Sequence, residues 1–291
     1  MDDIKNNQEY SEEEDILEAK KVKKIQRERQ IRKGRMWQER IRGIFRFFAS
    51  IGIIILLVFL ADLPQWYLAK SSFKIYNPDN VAIVGNKIVP TAKIFKTLYD
   101  IEVPNIPIYL FRTGEIRAKI RELSPIDEVY IRRYAFPARL DIIVREKIPS
   151  VVIAPDEKVK PVAFFTKDGT LVGREYLPLP AEYKTIKLLS YGNKGDDYHN
   201  WNKEKIQKIE KIVRYIETYS KEPVLYLDFR NPNDIYAEIK TVKIRLGKLD
   251  DTVFERIERI PSILPQVKLM DTKIKYLDLS WEKVNYLKLD E

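Results

Sequence analysis

The sequence predicts an α+β protein in three parts: a single N-terminal transmembrane helix, a small strand–helix–helix–strand–strand unit, and a C-terminal β-rich domain in which helices pack on an antiparallel sheet. Three observations predict it. One uncharged apolar run is long enough to cross a bilayer. Two short amphipathic helical stretches are followed by two alternating segments. Beyond them, β-branched and aromatic runs recur between turn residues, interrupted by one long helical stripe. The corresponding boundaries are a charged tail at 1–43, an anchor at 44–64, a linker at 65–72, the small domain at 73–147 and the β-rich domain at 148–291.

The anchor is read from FFASIGIIILLVFLA, residues 47–61, which carries no charge. Extended from Ile44 to Leu63 it covers the roughly 20 positions that a helix needs to span the hydrocarbon. Arg46 sits where its side chain can snorkel to the interface, and Trp66 and Tyr67 follow as interfacial aromatics. The net charge of +9 is uneven. Residues 1–18 hold eight acids and one base, whereas residues 19–46 hold twelve Lys/Arg and two Glu. That basic block abuts the apolar run, while Lys70 and Lys74 are the only bases in residues 62–81. The asymmetry predicts a cytoplasmic N-terminus and extracytoplasmic C-terminal domains. It also argues against a nucleic-acid-binding face, since the basicity is a topology signal that favours the lipid bilayer. The long polar stretch before the apolar run, and the lack of a small-residue cleavage site after it, predict a signal anchor and not a cleaved signal peptide. Zero cysteines remove disulfides, thiolate metal sites and cysteine nucleophiles.

In the small unit, NVAIVGNKIVP (80–90) reads as a strand ending in a Gly85-Asn86 turn. Thr91 is the expected N-cap of a helix to about Tyr99, with Ile94 and Leu98 on one face. A Pro/Ile-rich loop (100–111) precedes a second helix from about Thr113 to Leu123, which Ser124-Pro125 ends. Strands follow at 127–133 and 139–146, joined through Ala135-Phe136-Pro137. Leu140, Ile142 and Val144 alternate along the second of them, so that one sheet face is buried under the helices.

In the β-rich part, Phe164-Phe165 and Thr170-Leu171-Val172 bracket a turn at Lys167-Asp168-Gly169. Strands are expected at 185–190, 224–229, 234–241 and 242–248. Residues 203–219 form the clearest amphipathic helix, with Ile206, Ile209, Val213 and Ile216 on one stripe. Thr252 and Glu255 suggest a capping box for a helix reaching about Leu264. The chain closes on KYLDLSWEKVNYLKL, residues 275–289, which has strand character in two pieces.

These residues carry a resemblance. VAIVGNKIVP, the two helices and SPIDEVYIRRYAFPARLDIIVREKIP resemble the POTRA domain of the FtsQ/DivIB family of bacterial cell-division proteins. The matching positions are Pro125, Val129, Ile131, Arg133, Pro137, Leu140, Ile142, Val144, Glu146 and Pro149, with Lys147 where the family usually has arginine. The 164–169 turn, VKIRLGK (242–248) and the closing YLDL resemble the elements of that family's β-domain. Ser280 stands where the family usually has arginine, so a contact made by that arginine does not carry over. The resemblance implies a divisome scaffold at the septum of the bacterial plasma membrane. A single such module behind a signal anchor differs from the tandem modules of outer-membrane assembly factors, which precede a β-barrel.

A catalytic reading is poorly supported. His199 is the only histidine, and with Asp196 and Asp197 it lies in a polar loop of a kind that usually faces water. No G-x-S-x-G elbow and no phosphate-binding loop is present. The expectation is therefore no catalytic, metal or cofactor site, with a membrane-anchored cell-wall enzyme using unlocated carboxylates as the competing class.

A strand at the end of the chain has one assured neighbour, and an open rim is a template for another chain. The resemblance implies that FtsB/FtsL-like small division proteins add a strand there, engaging Trp281, Lys283, Val284, Tyr286 and Leu287, and that other divisome membrane proteins meet the POTRA unit. The alternative is that these aromatics merely cap the core.

Overall fold

The computed structural model describes residues 23, 37, 39–192, 197–270, 274–281 and 285–289. Most of the expected 1–43 tail therefore lies outside the described residues. The chain divides into two units, residues 1–66 and 67–291.

The first unit contains helix α1, Glu39–Ala61, whose 23 residues have a mean hydropathy of 2.6 over the apolar window. It is long and apolar enough to cross a membrane. It stops short of the expected limit at residue 64 because Pro64 disfavours helical geometry at Leu63. A 3₁₀ turn, Pro64–Trp66, follows. There the Trp66 indole Nε1 donates to the Leu60 carbonyl at 2.7 Å, satisfying one of the acceptors that a helix end leaves unpaired.

The second unit begins with a three-stranded sheet in the order β1-β3-β2. β1 is Val81–Val84, β2 Ile126–Ala135 and β3 Ala138–Glu146. β1 runs parallel to β3, and β2–β3 is an antiparallel hairpin. Two helices, α2 (Thr91–Leu98) and α3 (Gly114–Arg121), bury Ile94, Phe95, Leu98, Ile116 and Ile120. With them Val81, Leu140, Ile142 and Val144 form one core. The expected alternation of β3 is realised, and the helix stripes meet it.

The expected cap at Thr91 is not formed. Pro90 occupies the N-cap position, and no side chain caps the helix. Asn86 instead donates from Nδ2 to the Val89 carbonyl at 2.9 Å and to Thr91 Oγ1 at 3.0 Å. The Glu146 carboxylate, at the end of β3, accepts the backbone N–H groups of Lys87 (2.9 Å), Ile88 (2.8 Å) and Val89 (2.7 Å). Gly85 lies at φ +92°, and a Cβ there would strike the Val144 carbonyl, so the turn requires glycine.

The larger sheet has nine strands. β4 is Pro149–Ala154, β5 Ala163–Thr166, β6 Leu171–Gly173 and β7 Ile186–Leu189. β8 is Val224–Asp228, β9 Ile235–Ile239, β10 Lys243–Gly247, β11 Ile274–Asp278 and β12 Tyr286–Leu289. Their order is β12-β11-β10-β9-β8-β7-β4-β5-β6. The expected antiparallel sheet is in fact mixed, because β4–β7, β7–β8 and β10–β11 pair in parallel. A parallel neighbour requires a crossover. Helix α4 (Lys203–Ser220) supplies one between β7 and β8, and α5 (Val253–Glu258) with α6 (Ile260–Leu269) supplies another.

The single helix expected from Thr252 to Leu264 is thus broken at Arg259, where Pro261 near the start of α6 cannot donate back to the preceding turn. Thr252 does not form the expected capping box; its hydroxyl donates to Asp250 Oδ1 at 2.8 Å.

Register explains the layers. Ala163, Ile153, Leu188, Leu227, Ala237, Ile244, Leu277 and Leu287 are successive cross-strand partners from β5 to β12. This apolar row faces the core that the α4 stripe covers. On the reverse face of β4–β6, Val152, Phe164 and Val172 join the core of the small sheet. β4 is therefore buried throughout.

The 167–169 turn forms as expected, with Gly169 at φ +85°. Lys147 Nζ lies 3.1 Å from Asp168 Oδ2 and donates to Thr170 Oγ1 at 2.7 Å. Burial opposes ionisation of Asp168, but donors from Thr166, Thr170 and Lys147 outweigh it and pull its pKa down to about 2. A depressed carboxylate contributes stability above its unfolded pKa, near ~4, and loses it as pH falls through the folded value. Asp168→Asn should therefore melt below the parent at pH 7, with the gap closing between pH ~4 and about 2. The gap is small because the side chain is 47% exposed. Thermal melts of both proteins across that range check it; a constant gap would refute the role of this carboxylate.

Candidate partner-binding edge

The end of the large sheet is assembled from its reverse face. Opposite the apolar row runs a second register line: Asp228, Tyr236, Arg245, Asp278 and Tyr286, from β8 to β12. These side chains pair along the line. Arg245 Nε donates to Asp234 Oδ1 at 2.7 Å, and its Nη1 donates to Asp278 Oδ2 at 2.8 Å. Arg230 forks onto Asp228 with contacts of 2.9 and 2.7 Å. Tyr236 and Tyr276 pack edge to face at 5.8 Å.

Burial pushes the Tyr236 hydroxyl up to about 12, helped by the neighbouring Asp234 carboxylate. Asp278 moves the other way: burial opposes its charge, but hydrogen bonds from Ser280 and Arg245 hold its pKa below the usual value. Sequence reasoning missed this ladder, although the strands carry its signal. The residues that directly flank the core row are Tyr226 and Asp228 in β8, Tyr236 and Glu238 in β9, Lys243 and Arg245 in β10, and Tyr276 and Asp278 in β11, all tyrosine or charged.

Four contacts fix the chain where it leaves β11. Leu279 N donates to the Arg245 carbonyl at 2.9 Å. Arg259 Nη2 donates to the Leu279 carbonyl at 2.6 Å. Ser280 donates to Asp278 Oδ1 from its backbone N (2.9 Å) and from its hydroxyl (2.6 Å). Ser280 thus works as the turn residue behind Asp278, and it packs so closely on Gly247 that a Cβ there would lie 2.9 Å from its own. The next residue, Trp281, is 59% exposed.

β12 pairs antiparallel with β11 and ends the sheet. Among the described residues no strand lies on its other side. Tyr286 is 54% exposed on the ladder face, whereas Leu287 turns to the opposite face and packs against the core. Lys283 and Val284 lie outside the described residues. Of the expected membrane-interface residues, Arg46 is an exposed residue of α1, and Trp66 folds onto the helix end as described. Tyr67 is half-buried in the second unit, where its backbone bridges to Pro107.

Asp197 and His199 are in contact, with Oδ1 2.6 Å from Nδ1. Asp197 also caps the 3₁₀ turn Tyr198–Asn200. Asp196 lies outside the described residues, and among the described residues no group of three metal-ligating side chains gathers.

Comparison with known families gives one assignment. The segment from Asn77 to Lys147, which contains the three-stranded sheet and both small helices, matches the family described as POTRA domain, FtsQ-type. Residues 77–147 are an FtsQ-type POTRA domain. The match supports the FtsQ/DivIB-like family reading of the chain. No curated protein sequence matches it. The POTRA domain ends at Lys147, the residue that reaches from β3 to the Asp168 turn.

Proposed function

We propose that the protein is a bitopic scaffold of the bacterial divisome, holding FtsB/FtsL-like division proteins by strand addition at β12. The FtsQ-type POTRA domain supports a division-related protein, and that family is one of non-enzymatic scaffolds. POTRA domains mediate protein–protein interactions. The observation that carries the reading is the position of β12: it closes one end of a nine-stranded sheet, and among the described residues no strand pairs with its outer rim, which lies beside exposed Trp281 and Tyr286. α1 is the apolar anchor that would keep the scaffold at the plasma membrane, with its sheets outside the cytoplasm and its POTRA domain available to other membrane partners. Confinement to the bilayer raises the local concentration of such partners.

The expected result is specific. Trp281→Lys or Tyr286→Lys should weaken capture of an FtsB-like segment by at least about tenfold in a pull-down with the full chain, as for exposed aromatic anchors at interfaces. The unfolding midpoint should stay unchanged, because both side chains are exposed in the free protein. Leu225→Lys, at an exposed position of β8, serves as the control. Undiminished capture by both aromatic variants would place the site elsewhere.

A further inference from the structure

The segment that joins β6 to β7, residues 174–185, runs from the β-rich domain onto the POTRA domain and is pinned there. Tyr176 is 5% exposed, with the Lys93 ammonium of α2 3.7 Å from its ring centre. Leu177, Leu179 and Tyr183 pack against the small-sheet core, and Glu182 pairs with Lys87 at 2.9 Å. Between this segment and the β4–β5 loop lies an open groove of about 600 Å³, where Val152, Leu177 and Leu179 supply apolar surface. Pro161, Pro178 and Pro180 extend that surface, and a proline has no N–H to donate. A groove held by such contacts is formed before anything binds.

The polar groups of this groove are one-sided. Lys160, Arg174, Tyr183 and Thr185 belong to its lining, and no acid does. Among the described residues neither cation forms an ion pair and neither hydroxyl forms a hydrogen bond. Burial and the nearby Glu146 and Glu182 carboxylates raise the Tyr183 pKa, which keeps that phenol a donor. Four donors without a protein acceptor, set around apolar surface, suit a carboxylate carried on an apolar body. The groove is too open to enclose a small molecule, since Lys160, Arg174, Pro178 and Ala181 all stand in solvent. An extended stretch of another chain can lie along it. We propose that this groove binds a segment of a partner protein in which leucine-like side chains alternate with glutamate or aspartate. β12 plays no part in that contact, because the groove lies at the β4–β6 end of the sheet, beside the POTRA core.

The test titrates the full chain, in phosphatidylcholine nanodiscs, against short fluorescein-labelled peptides that alternate leucine with glutamate, glutamine or lysine. Fluorescence anisotropy gives the affinities. The glutamate peptide should bind about tenfold or more tightly than the glutamine peptide, the factor that one charge-assisted hydrogen bond supplies, and the lysine peptide should bind most weakly. Lys160→Glu combined with Arg174→Glu should reverse the order of the glutamate and lysine peptides. Both residues are exposed, so the unfolding midpoint should not move. Lys158→Glu combined with Lys184→Glu makes the same change in net charge at exposed positions outside the lining, and should keep the parent's order. Equal losses in the two double variants would trace the effect to overall charge and overturn the groove. Equal binding of the glutamate and glutamine peptides by the parent, or no binding of either, overturns it too. Displacement of the peptide by decanoate at matching affinity overturns the peptide occupant in favour of a small amphiphile. Tyr286→Lys should leave glutamate-peptide binding intact; its loss there, with the groove variant unaffected, moves the peptide to the sheet edge and overturns the groove. Groove binding that persists when β12 captures nothing leaves this site standing and removes only the strand-addition reading.

Discussion

Arg245→Leu is expected to destabilise the second unit by about 3 kcal/mol, toward the lower end of the cost of stripping one partner from a buried ion pair. The reason is the company this guanidinium keeps. It is shared between Asp234 and Asp278, whose side chains are 22% and 7% exposed. Leucine would fill the space yet leave both carboxylates without their cation. For a unit of this size the loss corresponds to a melting temperature lower by roughly 6–12 °C. Arg245→Leu combined with Asp278→Asn should recover part of it, since the most buried orphan charge is then gone. Chemical denaturation of the three proteins separates these cases. Equal stability of the parent and Arg245→Leu would show that the ladder does not hold β9, β10 and β11 together. Partner capture should fall with it, because the turn through Ser280 to Trp281 hangs on Asp278.

Glu146→Ala should cost about 3 kcal/mol as well, because hydrogen bonds to a charged acceptor contribute ~1.5–3 kcal/mol each and do not add fully. Three consecutive N–H groups, those of Lys87, Ile88 and Val89, would lose their acceptor, and the loop leading into α2 has no other cap. Glu146→Gln is expected to fall between the two. Its one carbonyl can keep the Lys87 and Ile88 donors, while its NH₂ group would face the Val89 N–H. Amide hydrogen exchange at residues 87–89 gives the local reading, and unchanged protection in the alanine protein would contradict it. The same carboxylate is one of the positions on which the sequence resemblance rests, and the contact gives that match a physical cause.

Most elements could be read from the chain wherever one face was wet. β3 and the α4 stripe followed their periods because water lies on one side of each. β4 gave no such signal. Val151 and Ile153 face the helix-covered core while Val152 faces the small-sheet core, so the alternation that marks a strand is erased. The break between α5 and α6 was written in Pro261 but masked by an apolar pattern that continues through Ile260, Ile263 and Leu264. Helix caps misled because Thr91 and Thr252 have the right chemistry, while Asn86 and Asp250 hold those hydroxyls in other bonds. At the C-terminal edge, the position of the last strand was legible from its place in the sequence. The facing of Leu287 was not, because its register depends on Leu277 across the hairpin.

The strand order also sets a distance. β12 and β6 close opposite ends of the nine-stranded sheet, and the small-sheet core is joined at the β4–β6 end. Eight spacings of ~4.8 Å separate the two margins by roughly 40 Å. A client seated at one margin therefore leaves the other unobstructed. If the protein holds partners as proposed, the sheet would serve as a spacer bar, keeping a partner at one margin well clear of the opposite end.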